Sequence, residues 1–296
     1  MNDTDASWFD RVFAGVQMVL PTHLLSAGMH RMARIRVQWF KQFVITCFMR
    51  MYKVNLSEAQ IQNPNRFDSF NEFFTRALLP SARPMPADSS AMVSPVDGTL
   101  GQYGSITTGK IVQAKGQTFD VTELLGGRDD LAAAFLGGQF ATLYLAPYNY
   151  HRIHMPLAGV LRETSYLPGR LFGVNPMSVR AIPRLFTRNE RVSALYDTPA
   201  GPMAMVLVGA FFVGSIATTW AGEITPPRRR KARHESFPAA GHSCLSFERG
   251  DEMGRFNLGS TVILLWGPDA IRWSGALEIG QPLKLGQVLG KSQPGS

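Results

Sequence analysis

Three short polar segments lie among glycines and prolines between apolar runs, and each carries side chains able to do chemistry. They are Ser94-Pro95-Val96-Asp97-Gly98-Thr99, Tyr150-His151-Arg152-Ile153-His154-Met155-Pro156 and Phe256-Asn257-Leu258-Gly259-Ser260-Thr261-Val262. Singly, each reads most simply as structure. Asp-Gly is a common turn, and a serine after glycine opens a strand. Two histidines separated by two residues, with no cysteine or acid ligand nearby, do not make a metal site. Together the segments hold a hydroxyl, an imidazole and a carboxylate. In such a set His154 takes the Ser260 proton and Asp97 fixes the histidine tautomer. Whether the three meet in space is a question for the fold.

The elements that must position them change character along the chain. In residues 1–60, Phe9, Val12, Phe13, Val16 and Leu20 recur at helical spacing. Pro21 is expected to end that helix. Trp39, Phe40, Phe43, Val44, Cys47 and Phe48 mark a second helical run. A short helix is expected over Asp68–Leu78, then a loop rich in Pro, Ser and Ala. From about residue 91, β-type runs are broken by Gly and Pro: Phe140–Leu145, Met205–Trp220, Thr261–Trp266 and Ala276–Ile279. The fold class expected is α+β: a helical region over residues 1–60 and a mainly β catalytic domain over 61–296.

The hydrophobic fraction of 45% and charged fraction of 18% predict a buried core. Cys47 and Cys244 make no disulfide framework. The chain carries a net charge of +8, which calls for an anionic partner or none. Over residues 1–53, seven Lys and Arg stand against three Asp. Basic residues beside an apolar, aromatic face suit a helix lying in a membrane surface. A helical hairpin packed on the protein's own core satisfies the same pattern. The run Arg228–Arg233 reads as a solvated loop or a headgroup-binding loop. The acidic N-terminus is unlike a secretory signal, and Val12–Met29, interrupted at Gln17, Pro21, Thr22 and His23, falls short of the ~18 apolar residues of a spanning helix.

At these residues the sequence resembles the bacterial phosphatidylserine decarboxylases. The resemblance rests on FNEFFTRALL (70–79), SPVDGTL (94–100), IVQAKGQ (111–117), YHRIHMPLAG (150–159), YLPGRLFGVN (166–175), WAGEITPP (220–227) and MGRFNLGSTVILL (253–265). It implies self-cleavage between Gly259 and Ser260 into a large chain, 1–259, and a small chain, 260–296. Ser260 would attack the Gly259 carbonyl, with His154 as base and Asp97 orienting it, and would end as a pyruvoyl cofactor. A Schiff base between that group and the serine headgroup would carry the decarboxylation of phosphatidylserine to phosphatidylethanolamine, with His151 favoured as proton donor. The resemblance further leaves a homodimer of the cleaved pair as an option; no metal is expected, and because a diacyl lipid must be met at the bilayer, residues 1–53 are expected to hold the chain as a peripheral enzyme on the cytoplasmic face of the inner membrane. Self-cleavage is expected to be independent of the N-terminal helices, which lie away from the triad in sequence.

Other readings are weaker. A serine hydrolase lacks its G-x-S-x-G elbow here. A lipoyl-like carrier lacks its lysine turn. Nucleic-acid binding has only the charge behind it and no motif, so no nucleic-acid partner is expected.

Overall fold

The computed structural model describes residues 6–211, 215–225, 231–257 and 260–293. Helix α1, Trp8–Val19, starts with a capping box: the Asp10 amide donates to Ser7 Oγ and the Ser7 amide to the Asp10 carboxylate. After Pro21 the chain turns by 81° into α2, Thr22–Met32. α3 runs from Gln38 to Tyr52. The helix expected over Asp68–Leu78 is shorter, α4, Phe70–Phe74, with Ser69 as its cap. None of these helices is long and apolar enough to cross a membrane alone.

α1 is built inside out. Its buried residues are Asp10, Ala14 and Gln17, whereas Trp8, Phe9 and Val19 are 70%, 75% and 83% exposed. The polar face turns inward because it has partners there. Arg180 donates to Asp10, and Gln17 bonds Ser178 Oγ and the Gly173 amide. α3 likewise buries Lys41, whose Nζ donates to the Phe67 carbonyl, and exposes Trp39, Phe43 and Met51. Periodicity located the apolar stripe; it did not say which stripe faced in.

Antiparallel strands form the body of the molecule. The largest sheet runs in the order Arg233–Ser236, Gly159–Leu167, Arg191–Thr198, Gly201–Val208, Ser260–Trp266, Gln139–Leu145, Gly98–Ser105 and Pro282–Leu283, with Ser246–Phe247 also pairing Gly159–Leu167. Ser260–Trp266 is central and buried throughout. Its side chains alternate between two cores: Val262, Leu264 and Trp266 on one face, Ile263 and Leu265 on the other. A smaller sheet, in the order Gly222–Glu223, Ile216–Thr218, Glu252–Phe256 and Arg152–His154, packs Ile153, Ile216, Met253 and Phe256 onto the first face. The chain passes from the small sheet to the large one between Phe256 and Ser260. A third core, under α3 and α4, gathers Ile45, Phe67, Phe70, Phe73 and Phe74.

Two expected strands are revised. Of Met205–Trp220, the described strands are Gly201–Val208 and Ile216–Thr218, which belong to different sheets. Ala276–Ile279 is turn and coil; there Leu277 accepts a hydrogen bond from the Tyr103 hydroxyl.

Candidate active site

The three polar segments converge at one end of the large sheet. Ser260 opens its strand opposite Leu145, and Thr261 pairs Tyr144, which also pairs Thr99. That register brings the start of Ser260–Trp266, the end of Gln139–Leu145 and the Asp97-Gly98 turn to a common edge. Gly98 is required there, since a Cβ would lie 2.6 Å from the Tyr144 carbonyl oxygen. The histidine segment is tied to the same turn: the His154 amide donates to the Pro95 carbonyl at 2.9 Å.

Ser260 is fully buried and its Oγ has no hydrogen-bond partner. An orphaned hydroxyl in a dry site is costly, and Ser260 shares this with other buried hydroxyls such as Thr142 and Ser193; its place at the start of the central strand sets it apart. A small carbonyl group in its place would forfeit no hydrogen bond made by the hydroxyl. Gly259, the other half of the expected cleavage site, lies outside the described residues, as does Leu258.

His154 holds a defined tautomer. Its Nδ1–H donates to the Gly250 carbonyl at 2.7 Å, leaving Nε2 to accept from the Tyr150 hydroxyl at 3.1 Å. Gly250 aims that carbonyl from a left-handed backbone, φ +92°, a conformation that disfavours any side chain. Burial pushes the His154 pKa below its ordinary value, while the Gly250 bond, Glu252 and Asp97 pull the other way. Burial also pushes the Tyr150 hydroxyl up, so it remains a donor at neutral pH.

Asp97 is placed differently from expectation. Its carboxylate takes Arg83 Nε at 2.9 Å and Nη2 at 2.5 Å, and its Oδ1 also accepts the Leu285 amide at 2.8 Å. Arg83 is in turn bonded to Glu58. The fork of a guanidinium satisfies a buried carboxylate better than a single imidazole N–H. Asp97, His154 and Ser260 therefore share one end of the sheet without hydrogen-bonding one another. Gly250 holds the tautomer that Asp97 was expected to fix, and Asp97 acts on His154 through its charge.

His151 has the driest surroundings. Its Nδ1–H donates to the Asn149 carbonyl at 2.9 Å, and its Nε2 is buried with no partner. The Phe74 ring lies 4.1 Å away, centre to centre. Burial lowers its pKa to about 3, helped by the positive charge of Arg76. Arg76 is itself buried with an unpartnered Nε. Arg83 and Gly250 lie outside every motif stretch, and Phe74 and Arg76 lie within 70–79 with nothing in their types that points to His151. Tyr150 stands inside a motif, yet its side chain alone gives no hint that it will meet His154.

Known proteins resemble the chain along most of its length. The family model described as phosphatidylserine decarboxylase matches residues 70–291, and a second model, described as PSD, matches 12–53. A phosphatidylserine decarboxylase proenzyme from Nitrosococcus oceani is 53% identical over 275 residues, covering 93% of this chain and 89% of that one. The proenzyme from Bordetella pertussis is 50% identical, covering 95% and 94%. That from Pseudomonas fluorescens is 49% identical, covering 96% and 98%. Similarity of this extent takes in the helical region, both sheets and every segment of the site, and it shows that the chain belongs to the phosphatidylserine decarboxylase family.

Proposed function

We propose that the chain is made as a precursor, cuts itself between Gly259 and Ser260, and works through a pyruvoyl group formed from Ser260. The reaction it catalyses is decarboxylation of phosphatidylserine to phosphatidylethanolamine. The observation that carries the self-cleavage reading is the buried, unpartnered Ser260 hydroxyl at the first position of the central strand. His154 Nε2 takes the hydroxyl proton as the oxygen attacks the Gly259 carbonyl carbon. The peptide C–N bond breaks as His154 passes that proton on to the nitrogen, leaving a free amine and an ester. Loss of the Ser260 α-proton then expels the Gly259 carboxylate. Water replaces the nitrogen as ammonia, leaving a ketone at position 260.

The small chain stays in place by packing. Val262, Ile263, Leu264 and Leu265 are fully buried, and at ~1.5–3 kcal/mol each they contribute roughly 6–12 kcal/mol. When present, the pyruvoyl group supplies an electron-accepting carbonyl to the headgroup amine as CO2 leaves. His151 manages the proton. Its bare Nε2 is the position from which a proton would reach the α-carbon, the substrate's negative charges favouring the protonated imidazole there. The experiment is intact-mass measurement of the purified protein with and without a hydrazine. Pieces of 1–259 and 260–296, the second gaining one hydrazone, are expected. An uncut active chain would overturn the reading.

The same proposal places the enzyme peripherally on the cytoplasmic face of the inner membrane. The inside-out α1 and α3 support it, since each exposes large apolar side chains, Trp8 and Phe9 on α1 and Trp39 and Phe43 on α3. Arg31, Arg36, Arg50 and Lys53 are exposed as well, each worth about 1 kcal/mol toward anionic lipid. Lys41 and Arg34, expected to join them, are occupied by Phe67 and Glu223. Phe9→Asp with Trp39→Asp should release the protein from anionic vesicles in co-sedimentation. Unchanged sedimentation would point to another surface.

A further inference from the structure

Glu223 stands at the edge of the small sheet, and its carboxylate gathers groups from distant parts of the chain. Oε1 accepts from Ser215 Oγ at 2.8 Å, from Asn257 Nδ2 at 3.3 Å and from Arg34, while Oε2 meets His30 at 3.4 Å. Asn257 is buried, and each side of its amide has a partner of the right kind. Nδ2 donates to Ser215 Oγ and to Glu223, and Oδ1 accepts from Asn71 Nδ2 at 3.2 Å. Its backbone is held as well: the Asn257 amide donates to the Ser215 carbonyl at 2.8 Å, and the preceding Phe256 amide to His151 at 3.0 Å.

Asn257 lies three positions ahead of Ser260. Ser260 is fixed on its other side by pairing with Leu145. Only two residues bridge these anchors, so the approach of the Ser260 hydroxyl to the bond before it depends on where Asn257 is held. Misplacement by about 1 Å can cost about 10²-fold in rate. As a solvent-exposed ion pair, Arg34–Glu223 contributes little stability. Its consequence is orientation. Arg34 follows α2, and the Asn71 amide donates to the Ala33 carbonyl, so the helical layer grips Asn257 from two sides.

We propose that Glu223 is a positioning residue for self-cleavage, clamping Asn257 and linking the cut to the seating of the N-terminal helices through Arg34 and His30. This rests on the reading of 259–260 as the cut bond, and it revises the expectation that cleavage is independent of those helices.

The test follows cleavage of freshly synthesised full-length chain by gel and intact mass. Glu223→Ala and Asn257→Asp should each slow it about 10- to 100-fold, the second by setting two carboxylates against each other. Adding Glu223→Gln to Asn257→Asp should restore most of the rate, because the new amide can donate to the new carboxylate. A merely structural role would not give that rescue. Arg34→Ala should slow cleavage about tenfold, through the same misplacement. Melting of each variant in a Ser260→Ala background should stay within a few degrees of the parent. Wild-type cleavage in both single variants, or no rescue in the double, overturns the clamp. Wild-type cleavage in Arg34→Ala overturns the link to the helices. Cutting of the Ser260→Ala chain itself would instead overturn the self-cleavage reading beneath it.

Discussion

His151 and His154 are three residues apart, yet their surroundings share almost nothing. His154 sits among groups that exchange protons or carry charge: Tyr150, Glu252, Asp97 and the Gly250 carbonyl. His151 is sealed by Phe74 and keeps one nitrogen without a partner. The segment alternates, so one strand edge sends neighbouring side chains to different walls. On the proposed mechanism the difference would separate two tasks, cutting and turnover. A base for cutting must be neutral, and His154 Nε2 can serve Ser260 once it gives up the Tyr150 hydroxyl. A donor for turnover must take up its proton once substrate is bound.

The largest effect should come from His154→Ala, which is expected to leave the precursor uncut, a loss of about 10³–10⁴ in cleavage rate by gel. Cleavage at the parental rate would end the distinction between the two histidines. Since burial depresses its pKa, His154 takes up a proton at lower pH than an ordinary histidine. Cleavage should therefore hold its rate from pH 8 to 6.5 and decline only at lower pH. Asp97→Asn sharpens the comparison. With Gly250 holding the tautomer, it should slow cleavage by about 10²-fold, short of the ~10⁴ seen when a triad aspartate fixes the histidine. A loss near 10⁴ would mean that His154 turns to Asp97 during the reaction.

His151→Gln should leave cleavage intact and lower the decarboxylation rate per pyruvoyl group about 10²-fold or more. Failure to cleave would assign His151 to both tasks. The smallest effect is on stability. His151 is folded neutral, with a pKa near 3 against an ordinary 6.5, so the unfolded chain binds the extra proton first. Its stabilising contribution is complete above about pH 6.5 and shrinks as pH falls toward 3. In a Ser260→Ala background, urea melts at pH 7 and pH 5 should differ by roughly 2 kcal/mol more with His151 than with His151→Gln. Equal pH dependence would show that His151 is not held neutral.

The chemistry was more legible in the chain than its geometry. Asp97, His154 and Ser260 could be singled out because Gly and Pro isolate them from apolar runs, and residues 261–266 announce a buried strand by composition. The Arg83–Asp97 pair was not legible, since a separation of 14 positions says nothing about which acid a loop arginine will meet. Nor was the orientation of α1. A stripe of Phe and Val looks like a core face until Asp10 and Gln17 find Arg180 and Ser178. Such contacts are set by tertiary neighbours far along the chain, and periodicity carries no record of them.

The central position of Ser260–Trp266, hydrogen-bonded on both sides, has a consequence for the life history of the protein. Before the cut, folding is unimolecular and that strand finds its slot as part of one chain. After the proposed cut the slot and its occupant would be separate molecules, with the Leu285 amide of the short piece still donating to Asp97 of the long one. Reassembly after denaturation then depends on concentration, and the loop constraint that aided the first folding is gone. The mature enzyme is expected to persist because its pieces separate slowly, so its durability is kinetic and its denaturation in dilute solution runs one way.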